Sequence, residues 1–223
     1  ITNLNARIEA ILQLLGIRLA STPADILTTT PTSARPKSTS QYGYNFESGT
    51  QNWTTSEGGF KPITVTTTNQ VVYSGVQALQ LNPNLRGGDT DIYQHTETVA
   101  YFNNTIPEGF GASGPYDLTG KSVSCFVYLP SELAPSSNPQ AYIQLFVKDK
   151  DFRNQFNAAL DIVPANVNKW LQLNLTVGQG DGMDNGFNSQ QSNALGISIK
   201  LHNQATLNYA GPLYIDHCAI QQT

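Results

Sequence analysis

The side chains best suited to catalysis are few in this sequence and stand apart from one another. Its three histidines, His95, His202 and His217, form no HExxH pattern and no pair at metal-ligand spacing, which argues against a metal hydrolase. A G-x-S-x-G nucleophile elbow and a phosphate-cradling glycine loop are missing as well. The stretch from Gly178 to Gly186 carries Asp181 and Asp184 but lacks the spacing and terminal Glu of an EF-hand loop, so it reads as a solvated hairpin. A polysaccharide lyase would need a Tyr acting with a His or Arg. Alternation offers only Tyr142 with Lys148 and His202 with Tyr128, without an Arg-rich strand facing a Gln-x-His strand. The chain is therefore expected to be non-catalytic.

Binding chemistry is better represented. In a strand, alternate side chains point to opposite faces, so the more aliphatic parity belongs to a core and the other can be read for function. Ser122 to Leu129 divides into Val123, Cys125, Val127 and Leu129 against Ser124, Phe126 and Tyr128. Ala141 to Lys148 gives Ile143, Leu145 and Val147 against Tyr142, Gln144, Phe146 and Lys148, and Leu195 to His202 gives Ile197, Ile199 and Leu201 against Ser198, Lys200 and His202. Rings interleaved with amide and amine groups suit a sugar, whose C–H faces stack on aromatics while its hydroxyls need directional partners. Phe126, Tyr128, Tyr142, Gln144, Phe146, Lys148, Lys200 and His202 form the candidate carbohydrate-binding set. Asp151, Phe152 and Arg153, on the turn after the second of these strands, would extend it at one edge.

The elements that must position these residues are strands. After Tyr42 the sequence consists of short alternating runs punctuated by Gly, Pro, Asn and Asp. These are Ile63 to Thr68, Ala78 to Asn82, Ser122 to Leu129, Ala141 to Lys148, Trp170 to Val177, Leu195 to His202 and Leu213 to Ile220. Many strands without intervening helices predict an antiparallel sandwich over 42–223. The stretch from Asn82 to Asp117, with Gly87-Gly88-Asp89 and Asn103-Asn104, reads as loop with one or two extra strands. Cys125 and Cys218 are the only cysteines; they make either two small buried core residues or one bridge, and their spacing does not decide between these.

The first 41 residues have a different texture. Ile1, Leu4, Ile8, Ile11 and Leu15 form a heptad stripe, which predicts a short helix over 1–20 whose residues 1–16 trimerise the chain, dock on its own domain or continue a longer upstream helix. Residues 21–41, with Pro23, Pro31 and Pro36 among Ser, Thr and Ala, read as an extended linker. Only 13% of the 223 residues are charged and the net charge is -4, so no basic stripe exists to neutralise phosphates and nucleic acid is not expected as a partner. The longest apolar runs fall far short of the roughly 20 residues of a membrane-spanning helix. Sequons at Asn52, Asn103 and Asn174 would permit glycosylation, and such triplets also arise by chance in a chain this rich in Asn and Thr.

Several segments recur in a familiar order. Asn45-Phe46-Glu47-Ser48-Gly49 and Trp53 are followed by Ser74-Gly75 before Ala78-Leu79-Gln80-Leu81, by Asp117-Leu118-Thr119-Gly120-Lys121, by Tyr128-Leu129-Pro130 and Trp170, and finally by Gly211-Pro212-Leu213-Tyr214-Ile215-Asp216. From about Tyr44 to Ile220 the chain resembles the jelly-roll carbohydrate-binding modules. The resemblance implies a structural calcium held by Glu47 and Asp216, whose hard carboxylate oxygens suit that ion, and a core role for Trp53. Taken together, the sequence predicts an all-β jelly-roll sandwich behind a short N-terminal helix, non-catalytic, secreted or on a virion surface, and binding polysaccharide or a cell-surface glycan. The other reading is a virion structural or adhesion protein, such as a phage fibre, assembled through residues 1–16.

Overall fold

The computed structural model describes residues 41–56, 64–88, 94–104, 106–180 and 182–221. The expected N-terminal helix with its heptad stripe, and the expected linker up to residue 40, lie outside the described residues, while Gln41, the last residue of that linker, begins a strand.

Two antiparallel sheets carry the fold. In the first, β11 (Trp170–Thr176), β7 (Ser122–Tyr128), β14 (Leu213–Gln221), β4 (Ala78–Asn82) and β3 (Thr64–Thr68) lie side by side in that order, and β1 (Gln41–Tyr44) also pairs with β14. In the second the order is β10 (Leu160–Asp161), β8 (Ala141–Asp149), β12 (Ser192–Leu201), β6 (His95–Tyr101) and β2 (Thr54–Thr55), with β9 (Asn154–Phe156) also paired to β8. A small ribbon joins β5 (Leu85–Arg86) to β13 (Asn208–Tyr209). From β6 onward the long strands fall alternately in the second and first sheets, through β7, β8, β11, β12 and β14. That winding makes an antiparallel β-sandwich of jelly-roll kind.

The expected core parities hold. Val123, Cys125 and Val127 of β7, Ile143, Leu145 and Val147 of β8, and Ile197 and Ile199 of β12 all enter one buried cluster with Leu79, Leu173 and Ile215. Each such side chain contributes roughly 1.5–3 kcal/mol by leaving water. Trp53 is core, as expected, packed edge-on against Tyr44 and Phe46 at 5.5 and 5.7 Å between ring centroids.

Two features depart from simple alternation. β6 lies in the interior of the second sheet and is buried on both faces from Thr96 to Ala100, so its sequence shows no period of two. The second departure is in β14, where pairing with β7 shifts register between Asp216 and Ala219, so that His217 and Cys218 together oppose Cys125. This bulge turns Cys218 inward, and Cys125 and Cys218 form a disulfide with Cα atoms 4.1 Å apart.

Candidate functional site

Register pairing arranges the outer face of the second sheet in rows. The first row runs Asp161, Tyr142, Lys200, His95; the second Gln144, Ser198, Glu97; the third Phe156, Phe146, Gly196, Val99, Thr54; the fourth Asn154, Lys148, Ala194, Tyr101. Five of the eight sequence-predicted residues, Tyr142, Gln144, Phe146, Lys148 and Lys200, therefore share this face. His202 lies just past its end, with Nε2 2.9 Å from the Asp161 carboxylate and its ring 5.0 Å from that of Tyr142. Phe126 and Tyr128 do not join them. They lie on the outer face of the first sheet, on the far side of the sandwich, where Tyr73 stacks on Phe126 at 3.8 Å and Tyr128 packs edge-on against Trp170 and Tyr214.

Phe146 and Lys148 also differ from expectation, because both are buried. Phe146 lies flat on Gly196, where a Cβ would come within 2.3 Å of its ring, and packs with Val99 and Ala194. The Lys148 side chain crosses the face beside it, with Nζ 5.1 Å from the Phe146 ring centroid. Its ammonium donates to Glu97 Oε2 at 3.1 Å and to Ser56 Oγ at 3.2 Å. The other Glu97 oxygen lies 3.0 Å from His95 Nε2, which is also 2.8 Å from Ser198 Oγ. Because Glu97 and Ser198 meet the same imidazole nitrogen, this is not a proton relay of the Ser–His–acid type, which needs one partner on each nitrogen. Burial pulls His95 below the ordinary histidine value, against the opposing bond to Glu97. Burial pushes Glu97 upward, but the His95 hydrogen bond and the Lys148 charge outweigh it and hold the carboxyl below its usual range.

What remains open on this face is aromatic and amphipathic. Phe152 is 60% exposed and its ring stands 6.4 Å from that of Tyr101. Its backbone has φ of 64°, a left-handed conformation costly for a bulky residue. The buried Asp149 holds that turn: one oxygen accepts the Asp151 and Arg153 N–H groups and the other accepts that of Asn188. Tyr142 and Phe156 are half-buried, and Gln144 donates to the Asn157 carbonyl at 2.8 Å. The position of Phe152 was legible in the sequence. That of Glu97, His95 and Tyr101 was not, because all three belong to β6, whose two buried faces hide its periodicity.

Glu47 and Asp216 meet at one loop. Asp216 accepts the N–H groups of Tyr73 and Ser74 on one oxygen and that of His217 on the other, while Glu47 accepts those of Val76 and Gln77. Burial pushes Asp216 up to about 6, the Glu47 charge adds to this, and the three N–H bonds oppose it. Hard oxygens and a surplus of negative charge fit a calcium ion in kind. Among the described residues no third His, Cys, Asp or Glu joins the pair, so backbone carbonyls would have to supply most of the shell.

The sandwich and its two outer faces define an antiparallel β-sandwich with a mixed aromatic and polar surface. No known family profile and no curated protein matches the chain. Among solved structures it is similar to one determined to explain the promiscuous specificity of carbohydrate-binding modules of the β-sandwich superfamily, with 15% identity and a TM-score of 0.53. That match covers 81% of this chain and 62% of the other, so the chain spans less than two thirds of its length. The xylan-binding module CBM15 matches with 14% identity over 82% of this chain and 96% of its own, at a TM-score of 0.48. The CBM22-1 xylan-binding domain from Paenibacillus barcinonensis Xyn10C matches with 18% identity over 82% and 97%, at 0.44. At these identities the likeness is one of fold.

Proposed function

We propose that this chain is a non-catalytic carbohydrate-binding module that attaches its parent protein to polysaccharide, and that the glycan lies on the outer face of the second sheet. The observation that carries this is the Phe152 turn. A buried carboxylate and three backbone N–H groups hold an exposed ring in a strained backbone conformation beside Tyr101, at the edge of a face that also offers Tyr142, Gln144 and Phe156. Strain kept in place by buried hydrogen bonds is common where a ring must meet a ligand. The shared fold with a carbohydrate-binding module of the β-sandwich superfamily supports the same reading.

Secretion, structural calcium and self-association belong to this proposal. The Cys125–Cys218 bridge favours an oxidising compartment, and Asn52, Asn103 and Asn174 are all exposed. Glu47 and Asp216 would hold the calcium, which would add rigidity where the 73–77 loop meets β14. Residues 1–16 would assemble the chain and so raise the avidity of weak sites. The adhesion reading rests on those same residues.

The experiment is a polysaccharide array with the full chain, repeated with Phe152→Ala and Tyr142→Ala. A ring stacked on a sugar contributes about 0.5–1.5 kcal/mol, so each substitution should weaken binding by about two- to tenfold with the melting temperature held. Failure of the wild-type chain to bind any glycan would remove the reading.

A further inference from the structure

Lys200 stands in the first row of the proposed face and is the ammonium there that the described residues leave without a hydrogen bond or ion pair. Its strand neighbours in the first row are Tyr142 and His95, and its side chain leans across the face until Nζ lies 4.9 Å from the Phe156 ring centroid. Two carboxylates, Glu97 and Asp184, act on its charge, a third, Asp161, shares its row, and each is already engaged. Glu97 gives one oxygen to His95 and the other to Lys148, Asp184 accepts the backbone and side-chain N–H groups of Asn154, and Asp161 meets His202. Lys148, the other cation of the face, is satisfied by Glu97 and Ser56. Burial draws the Lys200 pKa below the ordinary lysine range, with Glu97 and Asp184 opposing and Lys148 adding to the shift. An anion docked against the ammonium would reverse that shift.

A half-buried ammonium without a partner is costly, and the cost falls when a ligand supplies the acceptor. Resting on the carbohydrate-binding reading above, we infer that the face selects an anionic glycan, with the Lys200 ammonium pairing with a carboxylate or sulfate borne by a sugar whose ring lies along Phe156 and Tyr142. The shared chemistry is one negative oxygen cluster on a pyranose. General charge attraction is not the source, because the chain carries a net charge of -4 and repels polyanions at long range. In this reading recognition comes from the local Lys200 cation, within a screening length of about 8 Å at physiological salt.

The test uses the full chain at physiological ionic strength with matched polymers: polygalacturonate and its carboxyl-reduced neutral form, and a sulfated galactan and its desulfated form. The wild-type chain should bind at least one anionic polymer about tenfold more tightly than its neutral counterpart, in line with a charge-assisted hydrogen bond. The pair that shows the difference identifies the anion as carboxylate or sulfate. Lys200→Gln should abolish that preference, so that the variant binds the charged and neutral forms alike, and Lys200→Arg should retain it. Lys169→Gln, an equal loss of charge at an exposed site remote from the face, should leave the preference intact. Equal binding of charged and neutral forms, or a preference that survives in Lys200→Gln, would overturn the inference and leave the carbohydrate-binding role standing. Absence of binding to all four polymers would also overturn the inference, while the carbohydrate-binding role is decided separately by the polysaccharide array.

Discussion

Cys125 and Cys218 face each other across β7 and β14 only because His217 and Cys218 share the place opposite one residue. Ile215 pairs with Val127 on the core side and Asp216 with Phe126 on the outer side, so regular alternation would place Cys218 outward. The bulge, with His217 at φ of 48°, reverses the parity and delivers both sulfurs to the core. The bridge closes 93 residues of separation, and a loop of that size corresponds to about 4–5 kcal/mol of restricted unfolded-chain entropy. The double substitution Cys125→Ala/Cys218→Ala should therefore lower the melting temperature by about 8–20 °C, at roughly 2–4 °C per kcal/mol for a domain of this size. A shift under a few degrees would mean that the bridge contributes little to stability.

Phe146 and Phe152 should behave oppositely. Phe146 is fully buried over Gly196, so Phe146→Ala should cost about 3–5 kcal/mol of stability. Phe152 is exposed, so Phe152→Ala should leave thermal unfolding nearly unchanged and weaken glycan binding. Gly196→Ala should resemble Phe146→Ala, since the new methyl would stand 2.3 Å from the Phe146 ring and 2.5 Å from the Thr98 carbonyl oxygen. Differential melting curves beside affinity electrophoresis on the same variants separate the two classes. A stable Phe146→Ala that has lost binding would show that the buried ring meets the ligand after all.

How far this was legible in the sequence depends on which rule each segment obeys. β7, β8 and β12 announced both their positions and their core parities, because aliphatic residues alternate there with aromatic, polar or small ones even where the outer side is covered, as at Phe146, Gly196 and Ser198. β6 did not, because Glu97 and Val99 are buried on its outer side as Thr98 and Ala100 are on its inner side, and no alternation survives. The split of the aromatic set between two sheets was also hidden. Parity says that Phe126 and Phe146 both point away from the core, but only strand order says that they point away from it in opposite directions. Cys218 escaped for a third reason: a bulge breaks the period on which parity rests.

Acid should weaken the fold through the network of His95, Glu97 and Lys148. His95 is held below its ordinary value, so its contribution is complete above about pH 6.5 and is lost as the pH falls toward the depressed folded value. Glu97, also depressed, contributes above about pH 4.5 and loses that contribution as the pH falls further. Asp216, raised to about 6, acts in the opposite sense between its unfolded and folded values. The informative measurement is therefore the difference in melting temperature between the wild type and His95→Asn from pH 7.5 to 4. That difference should shrink as the pH drops through 6.5; a difference constant with pH would show that His95 does not titrate with folding.

The Asp216 carboxylate separates a calcium site from a purely backbone clasp. Either arrangement places Asp216 and Glu47 against the 73–77 loop, and both predict that Asp216→Ala is destabilising, since three N–H groups would lose their acceptor. They differ for Asp216→Asn, which keeps an acceptor oxygen but removes the charge. If calcium binds, saturating the wild type at a hundred times Kd should add about 2.7 kcal/mol, chelator should remove that gain, and the asparagine variant should respond to neither. If backbone N–H groups are the only partners, the wild type should ignore calcium and chelator alike. Asp216→Asn should then melt below the wild type by the same margin with calcium and with chelator, because its amide nitrogen must face either the His217 N–H or those of Tyr73 and Ser74. Melting curves of the two proteins with calcium and with chelator decide between these outcomes, and a wild-type curve that does not move removes the ion from the proposal.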